Sequence, residues 1–122
     1  MMAVPDLLAL ARQVQTDSPR QLGADRTVAA ALLVRQALEE ALDAWWATRL
    51  PAMADTTDRA QQITLPFYAD DAELAGDVTW AWNHLSTICH HHAYALPPTE
   101  AELARLIEVV QRLGQTESAD ES

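Results

Sequence analysis

The sequence predicts an all-α protein, a single antiparallel bundle of about five helices, on three observations. Alanine and leucine dominate the chain, and both lose little conformational freedom in a helix. Only 3 glycines occur in 122 residues. No stretch alternates apolar and polar residues as a half-buried strand would. We expect one domain over residues 1–114, with short links between antiparallel neighbours, and a disordered acidic tail over residues 115–122.

Two helices are predicted in the first half of the chain. The first runs from Pro5 to about Gln15, because proline suits the first helical position. The second runs from about Ala24 to Arg49, and Pro51 stops it. Its apolar positions recur at steps of three and four residues, which is typical of a helix with one buried face. Those positions are Ala31, Val34, Leu38, Leu42 and Trp45.

A short helix and a long one follow. Thr56, Thr57 and Asp58 predict an N-terminal cap for the short helix. We expect it to end near Leu65, because Pro66 disfavours the α conformation in the residue before it. The fourth helix is predicted from about residue 72 to residue 94. Its core face is predicted to hold Leu74, Val78, Ala81, Leu85, Ile88 and His92.

The fifth helix has the clearest start signal of the chain. Thr99 and Glu102 form a capping box, in which each side chain accepts a backbone N–H that the helix leaves unpaired. Gly114 is well placed to cap the C-terminus. The fifth helix is therefore predicted from Thr99 to Gly114. Its core face is predicted to hold Leu103, Leu106, Ile107, Val110 and Leu113.

Charge and composition limit the partners. The formal net charge is −10, which repels nucleic acid and disfavours RNA as a ligand. Cys89 is the only cysteine, so no intramolecular disulfide is expected, as in a reducing cytoplasm. The first residues lack the features of a signal peptide, and no run of about 18 apolar residues predicts a membrane span. We expect a cytoplasmic protein without membrane association.

The fourth predicted helix carries all four histidines. His90, His91 and His92 are consecutive and cannot share one helix face. Asn83 and Ser86 lie on the same polar stripe as His90. These five residues are the candidate catalytic residues. No two histidines have the spacing of four residues that chelates an ion on a helix, so we predict no metal ligands and no cofactor.

Four tryptophans form two close pairs on the two longest predicted helices. Trp45 and Trp46 are adjacent, and Trp80 and Trp82 are two residues apart. We expect at least one residue of each pair to face outward or towards a partner, because adjacent tryptophans in a helix cannot both face one core. Since tryptophans are strong interface anchors, these four are the candidate residues of a self-association surface.

Two stretches resemble HEPN domains (higher eukaryotes and prokaryotes nucleotide-binding). Residues 30–42, AALLVRQALEEAL, resemble the first long helix of that family. Residues 90–94, HHHAY, followed by LPPT at 96–99 and an amphipathic helix, resemble its closing half. The resemblance spans roughly residues 24–113 and implies a helical bundle that dimerises. In ribonucleases of the family, an arginine precedes a histidine by about five to seven residues, both protomers contribute to one cleft, and no metal is needed.

This sequence departs from that motif at the arginine. The corresponding positions before the three histidines hold Asn83, His84, Leu85, Ser86 and Thr87. A ribonuclease cleft would need His84, or Arg59 from the preceding segment, as a substitute cation. Loss of the phosphate clamp costs several kcal/mol of transition-state stabilisation. The resemblance therefore supports the fold and the dimer more than the activity.

Three functions follow from these patterns. The first is a non-catalytic HEPN-like homodimer of a defence or toxin–antitoxin type, which binds a protein, a nucleotide-like ligand or its own kind. The second is a metal-independent endoribonuclease that uses the His90–His92 cluster, with Asn83 and Ser86 as polar support. The third is a metal- or haem-binding bundle, in which a two-fold axis beside the fourth helix brings two clusters together.

Overall fold

The computed structural model describes residues 3–17, 23–90 and 98–121. Within them the chain has five α-helices and no strand, which confirms the all-α prediction. The helices are α1 (Val4–Asp17), α2 (Gly23–Arg49), α3 (Asp58–Tyr68), α4 (Ala72–His90) and α5 (Glu100–Glu121). A 3₁₀ turn over Pro51–Asp55 joins α2 to α3. None of the described helices combines the length and the apolar character that crossing a bilayer requires.

α2 lies at the centre of the bundle and contacts the other four helices and the 3₁₀ turn. The five core positions predicted for it are all buried, which confirms that face. Further residues of α2 are buried beside that face, namely Ala30, Ala37, Ala41 and Trp46. The buried positions together cover about half of the helix circumference, while Gln36, Asp43 and Ala47 on the opposite side stay exposed.

Trp45 and Trp46 are both buried, with 2% and 0% of their surface exposed. The expectation that one of them faces outward is wrong, because α2 is covered on more than one side. Trp46 packs edge-on against Tyr68 of α3, with ring centroids 5.5 Å apart. Trp45 lines a small pocket with Leu74 of α4 and Leu113 of α5. The two tryptophan rings also pack edge-to-face on each other, with centroids 4.8 Å apart, and so belong to one continuous core.

The second tryptophan pair is divided between the core and its edge. Trp82 is 8% exposed, and the Arg35 guanidinium of α2 lies 5.3 Å from the centre of its ring. Trp80 is partly buried against the core. Three of the four candidate interface tryptophans, Trp45, Trp46 and Trp82, are thus core residues of the single chain.

α3 begins as predicted and ends later than predicted. Thr57 is its N-cap, and the Thr57 hydroxyl accepts a hydrogen bond of 3.2 Å from the amide three residues on. The predicted end near Leu65 is wrong, since the helix continues through Pro66 to Tyr68. Leu65 is 1% exposed, and its carbonyl accepts a 2.9 Å hydrogen bond from the Ala69 amide. Packing of Leu65 and Tyr68 outweighs the local effect of the proline.

α4 and α5 lie antiparallel across one face of the bundle. Early in α4, Asp77 accepts a 2.8 Å hydrogen bond from Arg112, late in α5. Later in α4, His84 lies 2.8 Å from Glu102, at the start of α5. The predicted core residues of α4 are buried from Leu74 to Ile88, and those of α5 are buried as well. His92, also predicted for the α4 core, lies outside the described residues.

α5 has the predicted start but a different end. Thr99 and Glu102 exchange the two hydrogen bonds of the capping box, at 3.0 and 3.3 Å. Gly114 was expected to cap the helix, yet α5 continues through it to Glu121 where we predicted a disordered tail. Gly114 does not adopt the positive φ of a glycine cap. A glycine inside a helix costs only about 1 kcal/mol relative to alanine, which does not by itself end the helix.

We predict that Gly114→Ala raises the free energy of unfolding by about 0.5–1 kcal/mol. Alanine has less backbone entropy to lose on folding, and a Cβ added at Gly114 meets no atom within 4 Å. Urea denaturation measures the change. The matched control is Gly76→Ala in α4, where an added Cβ also meets nothing within 4 Å. A destabilised Gly114→Ala beside a stabilised Gly76→Ala would show that Gly114 caps α5 after all.

Candidate functional site

Two candidate catalytic residues line a groove between α3 and α4. Asn83 is exposed and Ser86 is half-buried, and both border an open groove of about 530 Å³. The described residues border two further open grooves of similar size, about 570 and 650 Å³, elsewhere on the bundle. The remaining lining residues of the α3–α4 groove are Arg59, Gln62, Ile63 and Pro66 of α3, with Thr79 and Trp82 of α4. The structure therefore places Asn83 and Ser86, two residues of the predicted polar stripe, on the α4 side of this groove, with α3 on the other side.

Arg59 supplies the positive charge of this groove. It lies in the first turn of α3, where its side chain is exposed and lines the groove with Asn83 and Ser86. A guanidinium presents several N–H donors in one plane, which match a carboxylate or a phosphate. Of the two substitute cations named from the sequence, Arg59 is therefore the one that shares a groove with Asn83 and Ser86.

His84 lies at the contact between α4 and α5 instead. Its Nε2 atom is 2.8 Å from a carboxylate oxygen of Glu102. Its ring stacks on Trp80, with centroids 5.4 Å apart and planes 12° from parallel. His84 is not among the groove-lining residues. These two contacts hold His84 between the helices, so it does not serve as the cation of the α3–α4 groove.

Further polar contacts continue along the same α4–α5 contact. Asp77 accepts a 2.8 Å hydrogen bond from Arg112 and lies 3.6 Å from Arg105. The hydrogen bond to Asp77 raises the pKa of Arg112 above its usual value. The Arg105 guanidinium also lies 5.1 Å from the centre of the Trp80 ring. Trp80 is thus flanked by Arg105 and His84 of its own chain.

Glu39 and Asp43 of α2 lie near Asp58, the first residue of α3. Asp58 directly precedes Arg59 in the sequence. Burial, followed by the charge of Asp58, raises the pKa of Glu39 above its usual value. Arg35 is 3.4 Å from Glu39 but only partly offsets these effects. Burial is the larger cause, so the raised pKa of Glu39 reflects mainly the lost hydration of its carboxylate.

The histidine cluster falls at the edge of what the structure describes. His91 and His92 lie outside the described residues, and only the backbone of His90 is described, at the end of α4. On α4 the His90 position is four residues, or about one turn, beyond Ser86. Among the described residues, no three His, Cys, Asp or Glu side chains are grouped to hold a metal ion. The roles predicted for the three histidines stay predictions.

Comparison of the chain with protein-family models, curated proteins and solved structures finds no match in any of the three. The resemblance to HEPN domains therefore stays a prediction. Function has to be inferred from the groove and from the exposed surfaces.

We predict that Glu102→Gln makes the protein less sensitive to acid. Hydrogen bonds from Thr99, and then from His84, lower the pKa of Glu102 below its usual 4.5. A carboxylate with a lowered folded-state pKa contributes stability above its unfolded-state pKa, and loses it as the pH falls through the folded-state value. The free energy of unfolding should therefore fall less below pH 4.5 in the variant than in the wild type.

Urea denaturation at a series of pH values measures this difference. The matched control is Glu108→Gln, which changes an exposed carboxylate of the same helix that takes part in neither the capping box nor the His84 contact. Glu108→Gln should follow the wild type. Equal pH dependence in Glu102→Gln and the wild type would contradict the assigned role of Glu102.

Proposed function

We propose that this protein is a non-catalytic, homodimeric binding module of the HEPN-like type. The observation that supports the proposal is the mixed lining of the α3–α4 groove. Arg59, Gln62 and Asn83 offer N–H donors, while Ile63 and Pro66 offer apolar surface. Polar groups of this kind orient a ligand, and the apolar surface covers its apolar part. The groove suits a ligand that combines a carboxylate or phosphate with an apolar part.

Charge favours a protein or a small ligand over an RNA chain. The chain carries a formal charge of −10, and Asp58 lies beside Arg59 in the first turn of α3. Each phosphate of an extended strand would meet this field, whereas one anionic group at Arg59 would meet it once. The defence or toxin–antitoxin setting rests on the resemblance of residues 30–42 and 90–99 to HEPN domains.

A second candidate function is the metal-independent endoribonuclease, and one observation favours it. Arg59, Asn83 and Ser86 line a single groove, and α4 continues from that groove to His90. In this function Arg59 would hold the scissile phosphate in place of the arginine of the family. A histidine of the His90–His92 cluster would transfer the proton at the 2′-hydroxyl or at the leaving oxygen.

We predict that the purified wild type does not cleave RNA in the presence of EDTA. The acidic field opposes RNA binding, and the arginine that clamps the phosphate in the ribonucleases is missing from α4. A quenched fluorescent RNA oligonucleotide measures cleavage. EDTA chelates divalent metal ions and so inhibits contaminating nucleases that need a metal. Circular dichroism and sedimentation confirm that the protein in the assay is folded and report its oligomeric state.

Three variants distinguish the two functions. One replaces His90, His91 and His92 by alanine, and the second is Arg59→Ala. The third, Arg12→Ala, is the matched control, because Arg12 is an exposed arginine of α1 that does not line the α3–α4 groove. RNA cleavage by the wild type and by Arg12→Ala, lost in the other two variants, would establish the endoribonuclease and reject the non-catalytic module.

A further inference from the structure

The orientation of α3 about its own axis is set by two buried residues on one side. Gln61 is 2% exposed, and its side-chain amide donates hydrogen bonds to the Met53 carbonyl at 3.0 Å and to Asp43 at 3.4 Å. Leu65, four residues later, is 1% exposed. Residues four apart lie on the same side of a helix, so this side of α3 faces the bundle. The opposite side must face away from it.

The outward side of α3 presents a stripe of three residues, Arg59, Ile63 and Phe67, spaced by four. Phe67 is 84% exposed and Ile63 is 61% exposed, and Arg59 is exposed as well. A single exposed apolar residue is ordinary, but adjacent large ones on one helix face are typical of an interaction surface. The four tryptophans named from the sequence present no comparable surface, since Trp45, Trp46 and Trp82 are buried.

We propose that this α3 stripe is the surface through which the protein self-associates, and that its occupant is a second copy of the chain. The inference rests on the homodimer of the proposed function and names its interface. In an isologous dimer both copies use the same surface, related by a two-fold axis. Packing α3 antiparallel on its own copy, with the axis beside Ile63, makes the stripe complementary to itself.

The complementarity comes from the equal spacing within the stripe. Arg59 and Phe67 each lie four residues from Ile63, on opposite sides of it. The antiparallel arrangement therefore places Arg59 of each copy over Phe67 of the other, with the two Ile63 side chains in contact at the axis. A guanidinium over an aromatic face is attractive, and symmetry makes this contact twice. Arg59 at one end of the stripe supplies the cation, and Phe67 at the other end supplies the aromatic ring.

The size of the stripe predicts a weak dimer. α3 has 11 residues and is about 16 Å long. One helix face of this length buries less than the roughly 800 Å² per partner of a standard interface. We therefore expect the dimer to dissociate on dilution, with a Kd of about a micromolar or weaker.

We predict that Phe67→Glu raises the dimer dissociation constant at least about tenfold. The change places a carboxylate where the ring meets the second copy, and Phe67 is exposed enough for the fold to be retained. Sedimentation velocity over a wide concentration series measures the constant. The matched control is Leu32→Glu, which adds the same charge at a 50% exposed leucine of α2, outside the stripe. Leu32→Glu should dimerise as the wild type does.

A double-mutant cycle tests the specific pairing of Arg59 with Phe67. Within one chain these positions are about 12 Å apart along α3, too far for direct contact. Arg59→Gln and Phe67→Leu should each weaken the dimer, and together they should weaken it by less than the product of the two fold-changes. Such coupling arises only if Arg59 of one copy meets Phe67 of the other. Fold-changes that multiply independently would reject this antiparallel pairing.

The outcomes separate this inference from the proposed function. A wild-type dimer that Phe67→Glu weakens and Leu32→Glu does not would support the α3 stripe. A dimer with the same dissociation constant in Phe67→Glu and the wild type would overturn the stripe and leave the homodimer standing. A wild type that is monomeric at every concentration would overturn both the stripe and the homodimer.

Discussion

The packing of all four other helices against α2 is the constraint on which the rest of the structure depends. α2 carries Trp45 and Trp46 side by side, and a helix with so wide a buried face buries both. Full burial of a large aromatic side chain is among the largest apolar contributions a residue makes to folding. It also has a cost, because neither indole N–H has a hydrogen-bond partner among the described residues. Apolar packing around α2 therefore outweighs that cost.

The position of α3 follows from that packing. Tyr68 at the end of α3 covers Trp46, and Gln61 ties the helix to the 3₁₀ turn that follows α2. These contacts leave one side of α3 buried and the other free to present Arg59, Ile63 and Phe67. Arg59 and Ile63 belong both to this stripe and to the α3–α4 groove. Self-association and ligand binding would thus compete for Arg59 and Ile63.

The polar residues of α4 lie on two sides of the helix, one toward α5 and one toward α3. Toward α5, His84 and Asp77 are engaged by Glu102 and Arg112, so these polar residues hold two helices together. Toward α3, Asn83 and Ser86 border an open groove. Sequence spacing placed Asn83, Ser86 and His90 on one stripe of α4, but it could not show which helix lies opposite. Arg59 lies 24 residues before Asn83 and 27 residues before Ser86 in the sequence. The three residues line one groove only because α3 packs against α4.

The sequence by itself determined the five helices, the core faces of α2 and α5 and the capping box at Thr99, because these follow from helical periodicity and contacts within a few residues. Tertiary structure decided what local rules misjudged. α3 continues past Pro66 because Leu65 is buried and Tyr68 contacts the Trp46 ring. α5 continues through Gly114, since one glycine costs less than ending a helix there. Trp46 is buried because a second layer of helices covers a side of α2 that periodicity alone would leave to solvent.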